Sequence, residues 1–169
     1  MAMMDLLIVE LQHEASATRR VLESLPAEQF GWKPHDKSME AGRLAGHIAE
    51  IPGWGPDILQ ADHWDLGAPD GYNAFVPSSQ DELLDGHEKA VAVFLGSAQG
   101  VSDEMLAQLW QLRMGGKVVS ESPRGGVVRS FVLNHIVHHR AQLGVYLRLL
   151  GIPVPSVYGP SADDPGAMG

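Results

Sequence analysis

The chain has 169 residues and contains no cysteine. This absence excludes a disulfide scaffold, a cysteine-ligated zinc finger, an iron–sulfur cluster and a thiol nucleophile supplied by the protein itself. No apolar run approaches the roughly 18 residues that a membrane-spanning helix needs, which argues against an integral membrane protein. Residues 1–10 have no basic segment before their apolar residues, so no secretory signal is visible. We therefore expect a cytoplasmic protein.

Basic residues are scarce. The chain has 12 Lys and Arg against 21 Asp and Glu, which gives a formal net charge of −9, and the largest basic cluster is Arg19-Arg20. Proteins that bind nucleic acid neutralise its phosphates with a basic face, and anionic membranes attract basic patches. We expect neither a nucleic acid nor a membrane as a partner.

Several motifs of known catalytic sites are also missing. The glycine pairs 115–116 and 125–126 follow neither the phosphate-loop nor the nucleophile-elbow pattern. A di-iron centre in a helical bundle needs a Glu-x-x-His pair on each of two helices and a Glu on each of the others. This chain has one such spacing, Glu10 to His13, and residues 127–150 contain no acid. The sequence therefore excludes the di-iron centre.

The distribution of 19 glycines and 11 prolines predicts where the helices lie. Residues 3–25 contain neither, residues 127–150 contain only Gly144, and apolar residues recur there at helical spacing. Ser79 and Glu82 match a capping box at the start of another helix. The predicted helices cover residues 3–25, 39–51, 79–100 and 127–150. Residues 66–77 are predicted as a loop, and residues 111–126 as a small hairpin or an extended loop. Four long helices with one apolar face each favour a four-helix bundle.

Two histidines on the last predicted helix have metal-ligand spacing. His135 and His139 are four residues apart, so their imidazoles lie about 40° apart around the helix axis and about 6 Å apart along it. His138 is rotated away by about 60° from His135 and is the weaker candidate. His47 lies on the apolar face of the second predicted helix and can meet this pair in a bundle. Three neutral imidazoles with an open position suit a divalent transition metal, whereas a polar stripe on a helix flank is the alternative.

The chain resembles the DinB/YfiT-like family of metal-binding helical bundles. The resemblance rests on residues 44–50, 134–143 and 146–155 and on residues 158–161. It implies an all-α, up-down-down-up four-helix bundle over residues 1–151, with a short hairpin or loop insertion before the last helix. Residues 152–169 are rich in Pro, Gly and Asp and are predicted as an irregular tail. Ala141 stands where the family often has glycine.

The resemblance further implies a function. The implied ligands are His47, His135 and His139, and nickel or zinc is the implied metal. Characterised relatives include metal-dependent transferases and isomerases that use low-molecular-weight thiols such as bacillithiol or mycothiol. The expected partners are a small-molecule substrate, such a thiol and a second copy of the chain in a homodimer. A metal-bound thiol would attack an electrophile. If water takes the thiol's place, the ion can polarise a carbonyl or generate hydroxide.

Two other functions remain open at this point. The chain could be a non-catalytic metal-binding stress-response protein, or a metal-free helical interaction module whose histidines are simply packed. Gln142, Asn134 and Glu50 are candidate partners of the metal ligands, with surface or capping roles as the alternative.

The remaining histidines and the tryptophans are expected to be structural. His87 is predicted as a core histidine, His35 and His63 as exposed loop residues, and His13 as a residue that can approach the site. The four tryptophans are predicted to serve in the core or as loop anchors, with the mouth of a pocket as the alternative. They are Trp32, Trp54, Trp64 and Trp110.

Overall fold

The computed structural model describes residues 2–166, which form helices and one small sheet. The helices are α1 (Met3–Glu23), α2 (Ala41–Glu50), α3 (Gly55–Leu59), α4 (Gln80–Ser97), α5 (Asp103–Ala107), α6 (Arg124–Val127) and α7 (Asn134–Leu149). The strands are β1 (His63–Asp65), β2 (Leu109–Met114) and β3 (Lys117–Pro123). Short 3-10 helices cover Ala27–Gln29 and Ile51–Trp54, and a π-helical segment, Val128–Leu133, joins α6 to α7.

The three strands make this a mixed α/β fold, so the prediction of an all-α four-helix bundle was wrong. β2 and β3 pair antiparallel and form the hairpin expected for residues 111–126, although β2 begins two residues earlier, at Leu109. β1 pairs parallel with β2, in the order β1-β2-β3. β1 has three residues, too few for a readable alternation of apolar and polar side chains. Its partner strand lies far along the chain, and local periodicity carries no information about such a pairing.

The Asp65 carboxylate joins the end of β1 to the turn of the β2–β3 hairpin. It accepts hydrogen bonds from the backbone N–H groups of Gly67, Gly115 and Gly116, at 3.0, 2.8 and 2.6 Å. Gly115 and Gly116 have φ of 58° and 80°, a left-handed conformation that a side chain disfavours. These bonds hold the loop after β1 against the hairpin turn.

The four longest helices lie within the spans predicted from the sequence. The Ser79 hydroxyl accepts a hydrogen bond from the Glu82 N–H at 3.1 Å, which is the predicted cap of α4. The Glu82 carboxylate, however, accepts from the N–H and hydroxyl of Ser78 rather than from the Ser79 backbone. α1 packs on α4 and α7, and α2 packs on the same two helices. Within residues 2–166, no helix is both long enough and apolar enough to cross a bilayer.

The apolar core has two clusters. The first lies near the sheet and includes Leu11, Phe94 and Trp110. The second lies between α1, α2, α4 and α7 and includes Leu44 and Leu143. Burial on this scale is the main source of the stability of the helices, because helices of this length are marginal in isolation.

Residues 152–166 contain no helix or strand, and they are held by local hydrogen bonds. The Asp163 carboxylate accepts from Arg148 on α7, and the Asp164 carboxylate accepts from the Ser156 N–H. The division of the chain at residue 151 stays a prediction, and residues 167–169 of the predicted tail lie outside the described residues.

A buried ion pair connects α1, α7 and this tail. Arg140 and Glu14 are 3% and 5% exposed, and their side chains meet at 2.7 Å. Arg140 also donates to the Thr18 hydroxyl at 3.1 Å, and the Tyr158 hydroxyl donates to the Glu14 carboxylate at 2.9 Å. Both charges are therefore removed from water but supplied with partners, the condition under which a buried pair is tolerated.

We predict that Arg140→Met lowers the free energy of unfolding by about 3–5 kcal/mol, because it leaves the Glu14 carboxylate buried without its cation. The double variant Glu14→Leu/Arg140→Met should lose much less, since no unpaired charge remains inside. Urea denaturation of both variants checks this. If the double variant is less stable than Arg140→Met, the attraction between Arg140 and Glu14 stabilises the fold, and the cost of an unpaired Glu14 carboxylate does not explain the loss.

Candidate metal centre

α2 and α7 bring His47, His135 and His139 together. The Nε2 atoms of His47 and His135 are 3.4 Å apart, and those of His135 and His139 are 2.9 Å apart. One nitrogen from each ring lies within 4.8 Å of the other two. The three residues selected from the sequence therefore form one cluster, and all three are partly buried.

The local placement of each histidine follows from helix geometry. His135 and His139 are one helical turn apart on α7, so they share a face, while Ile136 and Leu143 of the same helix are fully buried. His47 follows the buried Leu44 on α2 and lies at the edge of that apolar face. Because α2 packs directly on α7, the two histidine-bearing edges meet.

Glu50 determines the tautomer of His47. Its Oε1 lies 2.7 Å from His47 Nδ1, so a carboxylate there accepts the Nδ1–H and leaves the Nε2 lone pair directed at the other histidines. Burial raises the pKa of Glu50, but hydrogen bonds from His47, the Tyr72 hydroxyl and the Phe75 N–H outweigh burial and lower it overall. Glu50 is therefore ionised at neutral pH and acts as an acceptor.

Two partners of Glu50 come from the loop between β1 and α4. The Tyr72 hydroxyl donates to Oε1 at 2.5 Å, and the Phe75 N–H donates to Oε2 at 2.6 Å. Gly46 permits this approach, because a Cβ there would collide with the Phe75 carbonyl oxygen. The sequence analysis missed both loop residues, and the composition of residues 66–77 contains no signal that would have identified them.

Arg43 balances the charge of this carboxylate. Its guanidinium lies 3.4 Å from Glu50 Oε1 and donates to the Tyr72 hydroxyl at 2.5 Å. Burial, together with the Glu50 carboxylate, raises the pKa of Tyr72 to about 12, so the phenol keeps its proton at neutral pH. Arg43, Tyr72 and Glu50 thus form one connected network behind His47.

His139 is oriented in the same manner. Its Nδ1 lies 2.8 Å from Gln142 Oε1, so the ring donates its Nδ1–H there and directs Nε2 into the cluster. Gln142 and Glu50 were both named from the sequence as partners, whereas Asn134 is exposed.

The donor set fits a divalent transition metal. Burial lowers the pKa of His135 to about 4, helped by the neighbouring His139 and His47, and burial also lowers the pKa of His139. The rings of His135 and His139 are therefore neutral at pH 7, the form in which imidazole binds metals. Three converging lone pairs repel each other unless a cation lies between them. Metal–nitrogen bonds of 2.0–2.1 Å in a tetrahedral site place the nitrogens about 3.3 Å apart, close to the observed spacing.

The remaining histidines lie outside the cluster. His138 is exposed, and its Nε2 lies 3.2 Å from the Gln142 side-chain nitrogen. His87 is 2% exposed and donates from Nε2 to the Ala15 carbonyl at 3.2 Å, as expected for a core histidine. His13 lines a different cavity, between α1 and the tail.

A cavity of about 320 Å³ lies beside His47 and His135. We call it the aromatic cavity, because its walls are mainly Trp54, Trp64, Leu66, Tyr72 and Phe131. Arg43 and Met39 complete its lining.

The four tryptophans divide between this cavity and other positions. Trp54 and Trp64 line the aromatic cavity, the role that the sequence analysis held as the alternative. Trp110 is 1% exposed in the core, and Trp32 packs against Tyr146.

The chain is similar to several bacterial proteins. It is 26% identical over 161 residues to the protein YrdA of Bacillus subtilis strain 168, which is described as uncharacterized. The aligned region covers 95% of this chain and 91% of YrdA. A DinB-like protein from Bacillus cereus ATCC 10987 has a solved structure with a TM-score of 0.67 and 25% identity, over 90% of this chain and 95% of that one.

A second solved structure shares the fold. It is the DinB-like protein YjoA from Bacillus subtilis, with a TM-score of 0.64 and 15% identity over 86% of this chain and 91% of that one. The sequence model of the DinB family matches residues 2–166, nearly the whole chain. The chain therefore belongs to the DinB family.

Proposed function

We propose that His47, His135 and His139 bind one divalent transition metal, nickel or zinc, and that the protein is a metal-dependent transferase or isomerase using a low-molecular-weight thiol. The observation that carries the proposal is the convergence of three imidazole Nε2 atoms, with His135 Nε2 lying 3.4 Å from that of His47 and 2.9 Å from that of His139. Membership of the DinB family and the implied thiol chemistry of its characterised members support it.

The chemistry of the proposal is thiol activation. A bound divalent ion lowers the pKa of a coordinated thiol and so supplies a thiolate at neutral pH. The chain has no cysteine, so the thiol comes from a cosubstrate. A thiolate formed there, its proton released to solvent, would bond through sulfur to an electrophilic carbon of the substrate, and the displaced electron pair would leave with the departing group or move within the substrate.

The chain's own residues orient and shield this reaction. Glu50 and Gln142 hold His47 and His139 with their Nε2 atoms directed inward. The aromatic cavity offers a largely apolar surface beside the cluster, from which water is easily displaced. The homodimer, the cytoplasmic location and the absence of nucleic-acid and membrane partners stay predictions.

We predict that His135→Ala removes stoichiometric metal, because two imidazoles hold a divalent ion far more weakly than three. Metal content per chain, measured by mass spectrometry after dialysis of nickel- or zinc-loaded protein, checks this. His138→Ala is the matched control, since His138 is on the same helix but outside the cluster, and it should retain one ion per chain. Equal metal content in the two variants would contradict the assigned site.

We predict that Glu50→Gln weakens metal affinity about 10- to 100-fold while leaving the stoichiometry at one ion per chain. The amide accepts the His47 Nδ1–H less strongly and reduces the basicity of Nε2. Competition titration against a chelator of known affinity measures the change. Glu28→Gln removes the same charge from an exposed residue and should bind metal like the unmodified protein; a comparable loss there would point to net charge instead of orientation.

We predict thiol-dependent turnover by metal-loaded protein when a panel of low-molecular-weight thiols is combined with electrophilic substrates. Loss of free thiol and formation of the conjugate are followed together. Metal-free protein and His139→Ala should be inactive, because neither can activate the thiol. Stoichiometric metal without metal-dependent turnover across the panel would instead support the non-catalytic metal-binding function.

A further inference from the structure

We propose that the aromatic cavity binds an uncharged aromatic group, carried by the electrophilic substrate of the thiol reaction. The inference rests on the proposed function, because it assigns an occupant to the space beside the histidine cluster. It concerns the substrate class, which the histidine cluster by itself leaves open.

The arrangement of the rings favours an aromatic guest. The Trp54 and Trp64 rings have centroids 5.5 Å apart at 56°, and the Tyr72 ring lies 6.2 Å from each of them at 83° and 74°. Rings that meet at such angles present both faces and edges to the space between them. Aromatic guests bind such walls in offset or edge-to-face contacts, which add to the apolar area they bury.

The charges around the cavity favour a neutral guest. Arg43 is the one permanently charged side chain of the lining, and its guanidinium is engaged by Glu50 and the Tyr72 hydroxyl. An anionic guest therefore has to compete with Glu50 for Arg43. A cationic guest would be repelled by the same guanidinium. The rest of the lining is largely apolar, and it disfavours any charge that loses its water.

The volume of the cavity limits the size of the guest, and its position places the guest beside the histidine cluster. A volume of about 320 Å³ is at the small end for ligand pockets, so it suits one or two rings and not an extended chain. The Trp54 ring lies 5.6 Å from His47 and 5.4 Å from His135, measured between centroids. A guest stacked on Trp54 therefore has its substituents next to the open side of the histidine cluster.

The small sheet positions two residues of the aromatic cavity, Trp64 and Leu66. Trp64 is the middle residue of β1 and is paired with Leu112 of β2, while Leu66 donates its N–H to the Arg113 carbonyl at 3.0 Å. The backbone of two lining residues is thus fixed by strand pairing, which limits the loss of backbone freedom on binding.

The test uses metal-free protein and three para-substituted fluorobenzenes of similar size that differ in charge: 4-fluorotoluene, 4-fluorobenzoate and 4-fluorobenzylammonium. Fluorine NMR titration at pH 7 measures the affinity of each. We expect saturable binding of the neutral probe and at least fivefold weaker binding of both ions. No saturable binding of the neutral probe, or tighter binding of either ion, would overturn the inference.

Variants locate the binding. Trp64→Ala should weaken the neutral probe about fivefold by removing one aromatic wall. Leu66→Trp should also weaken binding of the neutral probe, because the larger side chain fills the cavity while Trp54, Trp64 and Tyr72 remain in place. Trp32→Ala is the matched control, a partly buried tryptophan outside the cavity, and it should not change binding. Equal weakening by Trp32→Ala and Trp64→Ala would place the probe elsewhere and refute the assignment.

The inference and the proposed function can fail separately. Probe binding is measured without metal, and metal content is measured without probe. If the protein binds metal but does not bind the neutral probe, the inference is refuted and the proposed function stands. If the protein binds the probe in the aromatic cavity but holds no metal at His135, the proposed function is refuted, and the binding of a neutral aromatic group stands without its link to the thiol reaction.

Discussion

The partial burial of three imidazoles between α2 and α7 is the constraint on which the rest of the site depends. Each ring has two nitrogens, and a partly buried nitrogen without a partner is costly. The Nδ1 atoms of His47 and His139 have acceptors on Glu50 and Gln142, which leaves their Nε2 lone pairs directed toward His135 Nε2. The orientation of these rings thus depends on groups that contact the Nδ1 atoms and lie outside the space between the Nε2 atoms.

This constraint extends outward through Glu50. A half-buried carboxylate needs several donors to remain ionised, and two of them, Tyr72 and Phe75, lie on the loop after β1. That loop is tied to the β2–β3 hairpin by the Asp65 carboxylate and by strand pairing. The small sheet therefore supports the site, although none of its strands contributes a histidine of the cluster.

The rotation of α7 about its own axis is set by a side chain on a different face from the histidines. Arg140 follows His139 in sequence, so its side chain points about 100° away around the helix. It is buried against α1, where it pairs with Glu14 and donates to Thr18. With Arg140 held there, His135 and His139 face α2. One helix thus carries a structural charge pair and the candidate metal ligands on different faces.

The sequence by itself determined the long helices and the face on which each cluster histidine lies, because helical periodicity and capping are local properties of the chain. It also determined the family, through the residues around His47 and the segment from 134 to 155. Only the tertiary structure decided that β1 joins the hairpin, that Tyr72 supports Glu50, and that Trp54 and Trp64 line a cavity. Those features are contacts between residues distant along the chain, and a short strand or an irregular loop has no local periodicity from which such a contact can be predicted.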